Sequence, residues 1–394
     1  MYRIIVVILL SVLIRCLSFA QEKNLDICIY YNKEITTVVF TPVMSYYLFT
    51  GNDTVQYRLD NRSLIYLSAN EGMVSVHNGN KNLGKFTYVS IKSENPNGYF
   101  RIKPVWPSLK SRSYDDDLVI TVYEGKLKLI NHVAMNKYIS GVVLAEGGPA
   151  SEFEYYKAQA LISRTYAVRH INKHTHEGFN LCDRVHCQAY HGRNSVNSEI
   201  DNCVKSTDHL VIVDKLKEVI LSVYHSNSGG ETANSEEVWS EALPYLRAKK
   251  DPYSLNQRNA KWTRKVKLSV WRDFLKSVGF SDKAINKHVS FNMKKRKQYF
   301  CLGKECIEMR DIRDRFKLRS SFFSIKQRGT YVYFHGKGYG HGVGLSQIGA
   351  MNMARKGFLY EDIIKFYYKN VQLIPYENVR KVDHSEEEFL FVTY

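Results

Sequence analysis

Beyond residue 20 the chain contains no long apolar run. Crossing a bilayer takes about 20 consecutive apolar residues, so no membrane-spanning helix is expected after the N-terminus. No internal repeat stands out, which argues against solenoid and propeller architectures. Strands and helices are mixed without regular βαβ order, which favours an α+β fold over a doubly wound parallel sheet. No G-x-S-x-G elbow occurs, so that form of serine hydrolase is excluded. The glycine-rich stretch from Gly336 to Gly344 matches neither G-x-x-x-x-G-K-[ST] nor G-x-G-x-x-G, which argues against phosphate binding there. Acidic residues are also in short supply. There are 39 against 56 basic ones, a net charge of +17.

The N-terminus carries the one long apolar run. Arg3 gives a positive start, Ile4 to Ile14 is apolar, and Ser18-Phe19-Ala20 fits a small-x-small cleavage site. Residues 1–20 therefore read as a signal peptide. The protein is expected to be exported to the periplasm, envelope or exterior, with no transmembrane segment after cleavage. Removal of Arg3 and Arg15 leaves about +15. For an exported protein that charge points to an anionic envelope polymer or membrane surface rather than nucleic acid. Export permits disulfides. Of the seven cysteines, Cys301 and Cys306 flank a short segment and could close a small loop, while Cys28 and Cys203 have no obvious partner.

Residues 21–110 are strand-like and turn-rich, so a β-rich N-terminal region is expected. A hairpin with Glu124-Gly125 at its turn follows. The segment GVVLA, residues 141–145, reads as a buried strand ending in a lone acid, Glu146. A Gly-Gly-Pro turn comes next. Ser151 with Glu154 forms a capping-box pattern that predicts a helix over 151–173. A carboxyl beside apolar surface can have a raised pKa and act as a general acid. The alternative is a solvated loop glutamate. Residues 196–212 predict a short helix and then a strand. Residues 260–330 are basic and show little pattern, and a helix is predicted from Ser346 to Gly357.

Three further groups stand apart from core patterning. His176, Cys182, His186 and Cys187 supply two imidazoles and two thiols in a short loop, a donor set suited to tetrahedral zinc in a closed structural site. His174 and His191 are possible substitutes, and a Cys182–Cys187 disulfide is the competing reading. The run from His225 to Gly230, HSNSGG, places small polar residues at a strand end, where a polyhydroxylated ligand could approach. The loop GKGYGHGVG brings Tyr339 and His341 beside glycines suited to tight backbone packing.

Four blocks, YISGVVLAEGGPASEFEYYKAQALISRTYA, CDRVHCQAYHG, VYHSNSGGETANSEEVWSEALPYLRAKKDPY and GKGYGHGVGLSQIGAMNMARKGFLYEDIIKFYY, resemble the SpoIID/LytB domain family in sequence and order. The resemblance assigns residues 111–375 to that domain and leaves 376–394 as a tail. It implies an exported protein acting on peptidoglycan glycan strands, either as a lytic transglycosylase on strands stripped of stem peptides or as a non-catalytic activator of a cell-wall amidase. It implies Glu146 as the catalytic acid and a structural zinc on His176, Cys182, His186 and Cys187. It implies Arg164, Tyr166, Gln188, Tyr190, His225, Ser228, Trp239 and His341 as residues lining or supporting a substrate cleft. The family reads Glu-Met-Pro where this chain has Glu146-Gly147-Gly148-Pro149. Stripped strands expose lactyl carboxylates, so the basic charge is expected to assist binding in a salt-dependent way.

Overall fold

The computed structural model describes residues 23–239 and 241–382. The signal segment and the end of the tail lie outside the described residues. The fold is α+β, with a β-rich N-terminal part and a more helical remainder. Its contacts divide the chain into two units, the first ending at Tyr138 and the second beginning at Ile139.

The first unit is a two-sheet sandwich of short antiparallel strands. One sheet has the order 24–29, 126–134, 117–123, 88–93, 47–51 and 54–59. The other runs 112–115, 99–106, 37–43, 65–70, 73–78 and 81–86. Period-two patterning drives the arrangement, since Thr37–Val43 alternates half-buried and buried residues along its length. The inner faces meet at aromatic rings. Phe40 stacks on Phe100 at 5.2 Å and meets Tyr47 of the facing sheet edge-on at 5.5 Å. The expected hairpin is present, with Glu124 and Gly125 both at positive φ, as a two-residue turn requires. The expected division near residue 110 falls inside this unit. Strands 112–115, 117–123 and 126–134 complete both sheets and bury Tyr114, Leu118, Ile120 and Leu129 in the sandwich core.

The segment read as a strand at GVVLA is helical. It belongs to α1 (Met135–Gly147). Every residue from Tyr138 to Val143 is buried, so the middle of this helix turns no polar face to solvent and shows no amphipathic period. A short apolar run of that kind does not distinguish strand from buried helix. Gly141 permits the burial. A Cβ there would lie 2.4 Å from the Gly192 carbonyl oxygen and 2.6 Å from the Tyr190 ring. Gly141→Ala is therefore expected to destabilise the protein by about 1–3 kcal/mol, despite a helix-propensity gain of about 1 kcal/mol. Chemical denaturation of the two proteins measures it.

The central helix α2 (Phe153–Arg169) is buried along most of its length. The capping box is not made. Glu152 is the N-cap, and the Glu154 carboxylate instead accepts from Lys157 Nζ and the Tyr360 backbone N–H, both at 2.8 Å. The Tyr156 hydroxyl holds the entry turn, accepting from the Ser151 N–H and donating to the Gly148 carbonyl. Around α2 pack α3 (Ser198–Ser206), the antiparallel pair Leu210–Val213 and Gln372–Pro375, and further along the chain two C-terminal helices. Residues 261–337 form a lobe of this unit with its own core around Trp271. That lobe contains α4 (Leu268–Ser277), α5 (Asp282–Ile285), α6 (Met309–Phe316) and a four-stranded antiparallel sheet. A Cys301–Cys306 disulfide links directly opposed hairpin residues, as their spacing allows. The C-terminal helices are α7 (Gln347–Arg355), which falls within the helix predicted over 346–357 and is capped by Ser346, and α8 (Tyr360–Tyr367). Among the described residues no helix is long and apolar enough to cross a membrane.

Candidate active site and metal centre

Glu146 sits in the last turn of α1 and lines a cleft of about 610 Å³ in the second unit. Its Oε1 accepts the Ala189 N–H at 3.1 Å, and the Tyr224 hydroxyl donates to the carboxylate. Gln347, at the first position of α7, donates from Nε2 to the Glu146 carbonyl at 3.3 Å. Burial pushes the Glu146 carboxyl above the ordinary range, and the two hydrogen bonds oppose that shift without cancelling it. The C-terminal end of a helix also disfavours a negative charge.

This raised pKa carries a stability prediction. The carboxyl's folded pKa exceeds its unfolded one, so its favourable contribution is complete below the unfolded pKa and disappears as pH rises through the folded value. Glu146→Gln is neutral throughout. Its melting temperature relative to the parent should therefore be higher at pH 7 than at pH 4, a difference that thermal melts at both pH values read directly.

The cleft wall opposite in sequence is built from two backbone runs. Tyr224–His225 pairs in parallel with Leu345–Ser346, and Asn227 bridges to Tyr339. The loop between Gly336 and Leu345 has Gly338, Gly340, Gly342 and Gly344 all at positive φ. At Gly344 an added Cβ would fall 2.1 Å from the Val223 carbonyl oxygen, so this loop can lie against the 223–229 run only without side chains.

The residues expected to line or support the cleft divide into two sets. His225 lines the cleft; its Nδ1–H donates to the Val343 carbonyl at 3.0 Å, and burial holds the ring neutral, well below the usual imidazole range. The others form supporting layers. His341 donates from Nε2 to the Tyr224 carbonyl, accepts the Val343 N–H, and packs on Trp239 at 5.2 Å; burial pushes its pKa down to about 3. Ser228 is fully buried, bonded to Asp251 and Ser254 at 2.7 Å each. Arg164 is fully buried and does not line this cleft. Its guanidinium caps the carbonyls of Val204 and Thr207 at the end of α3. Tyr166 donates to the His186 carbonyl at 3.4 Å, Tyr190 packs on Gly141, and Gln188 is buried next to Cys187. Polar lining residues that sequence reasoning missed include Tyr224, Arg313, Asp314, Lys317 and Gln347. Tyr224 and Gln347 adjoin recognised motifs, whereas nothing local marks the other three.

The cysteine–histidine loop forms a cluster able to hold a metal ion, but with one change of ligand. His174, Cys182, His186 and Cys187 place their donor atoms within 4.8 Å of one another. Cys187 Sγ lies 3.5 Å from His174 Nε2, and Cys182 Sγ lies 3.7 Å from His186 Nδ1. Tetrahedral zinc with ordinary bond lengths would separate sulfur from nitrogen by roughly 3.5 Å, so the cluster fits such an ion. Glu177 accepts from His174 Nδ1 at 2.5 Å, which fixes the tautomer that leaves Nε2 free to ligate. His176 is not in the cluster. The 3₁₀ turn Thr175–Glu177 directs it to solvent, 71% exposed. Cys182 and Cys187 are free thiols, so the alternative disulfide is not formed. Hydrogen bonding from the Cys187 thiol, with His174 and His186, favours a Cys182 thiolate. The loop closed by this cluster continues directly into Ala189, whose N–H holds Glu146.

Residues 123–213 match the family model SpoIID, described as stage II sporulation protein. An uncharacterized protein of Brachyspira hyodysenteriae is 31% identical over 282 residues, covering 70% of this chain and 76% of its own length. Stage II sporulation protein D of Bacillus subtilis is 27% identical over 269 residues, covering 64% of this chain and 78% of its own. The amidase enhancer of Bacillus subtilis is 27% identical over 292 residues, which is 60% of this chain and 40% of that protein. The matched region contains both Glu146 and the cysteine–histidine cluster, and the similarity to the relatives extends well beyond it: this chain belongs to the SpoIID/LytB-like family.

Proposed function

We propose that this protein is an exported cell-wall remodelling enzyme that cleaves peptidoglycan glycan strands, stripped of stem peptides, by lytic transglycosylation. The observation that carries the proposal is the carboxyl group of Glu146, partly buried in a cleft wall with a raised pKa and held by Ala189 and Tyr224, whereas Asp314, also on the lining, is exposed. A hydrolytic glycosidase commonly uses two carboxyl groups, one as acid and one as base or nucleophile. A transglycosylase needs one. Protonated Glu146 gives its proton to the leaving O4 of the next sugar as the C1–O4 bond of N-acetylmuramic acid breaks. The resulting carboxylate then takes the proton of that sugar's own C6 hydroxyl as its oxygen bonds to C1. Glu146 ends protonated, and the product is a 1,6-anhydro-N-acetylmuramic acid end. A raised pKa keeps the acid form available for the first step.

We assign zinc to the cluster His174, Cys182, His186 and Cys187, where four protein ligands leave no open position for water. Its role is structural: it ties down the loop that presents the Ala189 N–H.

Similarity to the amidase enhancer supports a second reading, a glycan-binding protein that activates an amidase partner. Purified protein incubated with stripped glycan strands separates the two. New muramyl ends made by the parent and absent with Glu146→Gln support the enzyme. No new ends, together with stimulation of an added amidase by both proteins, support the activator.

A further inference from the structure

The cleft is bounded in part by the lobe that sequence patterning left unexplained. Helix α6 brings Arg313 and Asp314 to the lining, and its C-cap brings Lys317. Lys317 adopts a left-handed conformation, φ 48, which ends the helix and turns the chain into Leu318 on the same lining. Arg310, one turn earlier, pairs with Glu308 at 3.3 Å. Arg313 differs. Among the described residues its guanidinium has neither an ion pair nor a hydrogen bond. Its sequence neighbour Asp314 is on the lining but does not reach it within ion-pair distance. Asp314 and the Tyr339 hydroxyl act on it electrostatically, and it in turn opposes the charge on the buried cation Arg296 and protonation of His341. Burial depresses the Arg313 pKa, and the electrostatic support of Asp314 and Tyr339 offsets only part of that loss of water. Lys317 is exposed and likewise unpaired among the described residues.

A partly desolvated, unpaired guanidinium in a ligand cleft is suited to a carboxylate, which it can grip through two parallel N–H···O bonds. We infer that Arg313, assisted by Lys317, binds the lactyl carboxylate of a muramyl unit in the cleft and thereby selects strands without stem peptides. The inference rests on glycan being the ligand of this cleft. On a peptide-bearing strand the lactyl carboxyl is an amide, which carries no charge and presents only one acceptor oxygen.

The test measures binding in a Glu146→Gln background, so that no strand is cut. Two probes are used: stripped glycan oligosaccharides, and the same oligosaccharides with lactyl carboxyls converted to methylamides. The methylamide probe should bind about tenfold or more weakly. Arg313→Gln should lose a similar factor on the unmodified probe and most of the preference between the two probes. Arg313→Lys, which keeps the charge but not the fork, should retain part of the preference, and Lys317→Gln should lose less than Arg313→Gln. Thermal melts matching the parent establish that the variants are folded. An unchanged probe ratio in Arg313→Gln overturns the inference, as does failure of the parent to bind either probe. Cleavage is read separately in the protein with Glu146. Equal cutting of both probes removes the selectivity and leaves the enzyme reading in place. Selective binding without new muramyl ends does the reverse.

Discussion

Glu146→Gln should lower the turnover of stripped glycan by about 10³-fold or more. General acid or base assistance is worth roughly 10²–10⁴, and the proposed mechanism gives one group both halves of the reaction. The loss should fall on kcat with KM nearly unchanged, because the amide can keep the Ala189 hydrogen bond and the proposed substrate contacts lie on other residues. The pH profile adds a sign. The first step requires the protonated carboxyl, so kcat/KM should fall as pH rises through the Glu146 pKa. Burial raises that pKa, which places the alkaline limb above the pH at which an exposed glutamate would lose its proton. The Tyr224 hydroxyl favours the carboxylate form. Tyr224→Phe should therefore move the alkaline limb further upward. A limb that moves downward, or Glu146→Gln activity close to that of the parent, contradicts the assignment.

Metal removal should have the second large effect. The donor atoms of His174, Cys182, His186 and Cys187 are assembled in the folded chain, so binding energy of the ion contributes to folding. Loss of several kcal/mol, at about 2–4 °C per kcal/mol for a domain of this size, lowers the melting temperature by roughly 10 °C. Cys187→Ser should reproduce much of that loss, and His176→Ala should not, because His176 lies outside the cluster. Activity should decline with the structure, since the loop presents the Ala189 N–H to Glu146. Elemental analysis should find one zinc per chain. If chelation abolished activity while the melting curve stayed unchanged, the metal would be catalytic and the closed-site assignment wrong.

What could be read in advance depended on whether a signal was local. The Glu124-Gly125 hairpin, the helix start near Ser346 and the Cys301–Cys306 link each rest on a few neighbouring residues, and each is present. Glu146 could be singled out, but its setting could not. Residues 138–143 are buried on all sides, and such a run carries no period to separate helix from strand. The choice between His174 and His176 depends on which way a single 3₁₀ turn faces, and two histidines two residues apart do not encode that. The motif marks Arg164 as lining or supporting the cleft but does not say which, and its donors go to the carbonyls ending α3, forty or more residues away. Arg313 and Lys317 reach the cleft only because residues 261–337 fold around Trp271 as a lobe. Contacts of that range leave no mark in spacing or composition.

The mass of the ends produced from stripped glycan in ¹⁸O-labelled water tests the central claim most directly. A lytic transglycosylase uses the substrate's own C6 hydroxyl, so the new muramyl ends should be one water lighter than reducing ends and carry no label. They should disappear with Glu146→Gln. Reducing ends carrying ¹⁸O would show hydrolysis, and the absence of any new end would show that Glu146 sits in a binding cleft that does not cut.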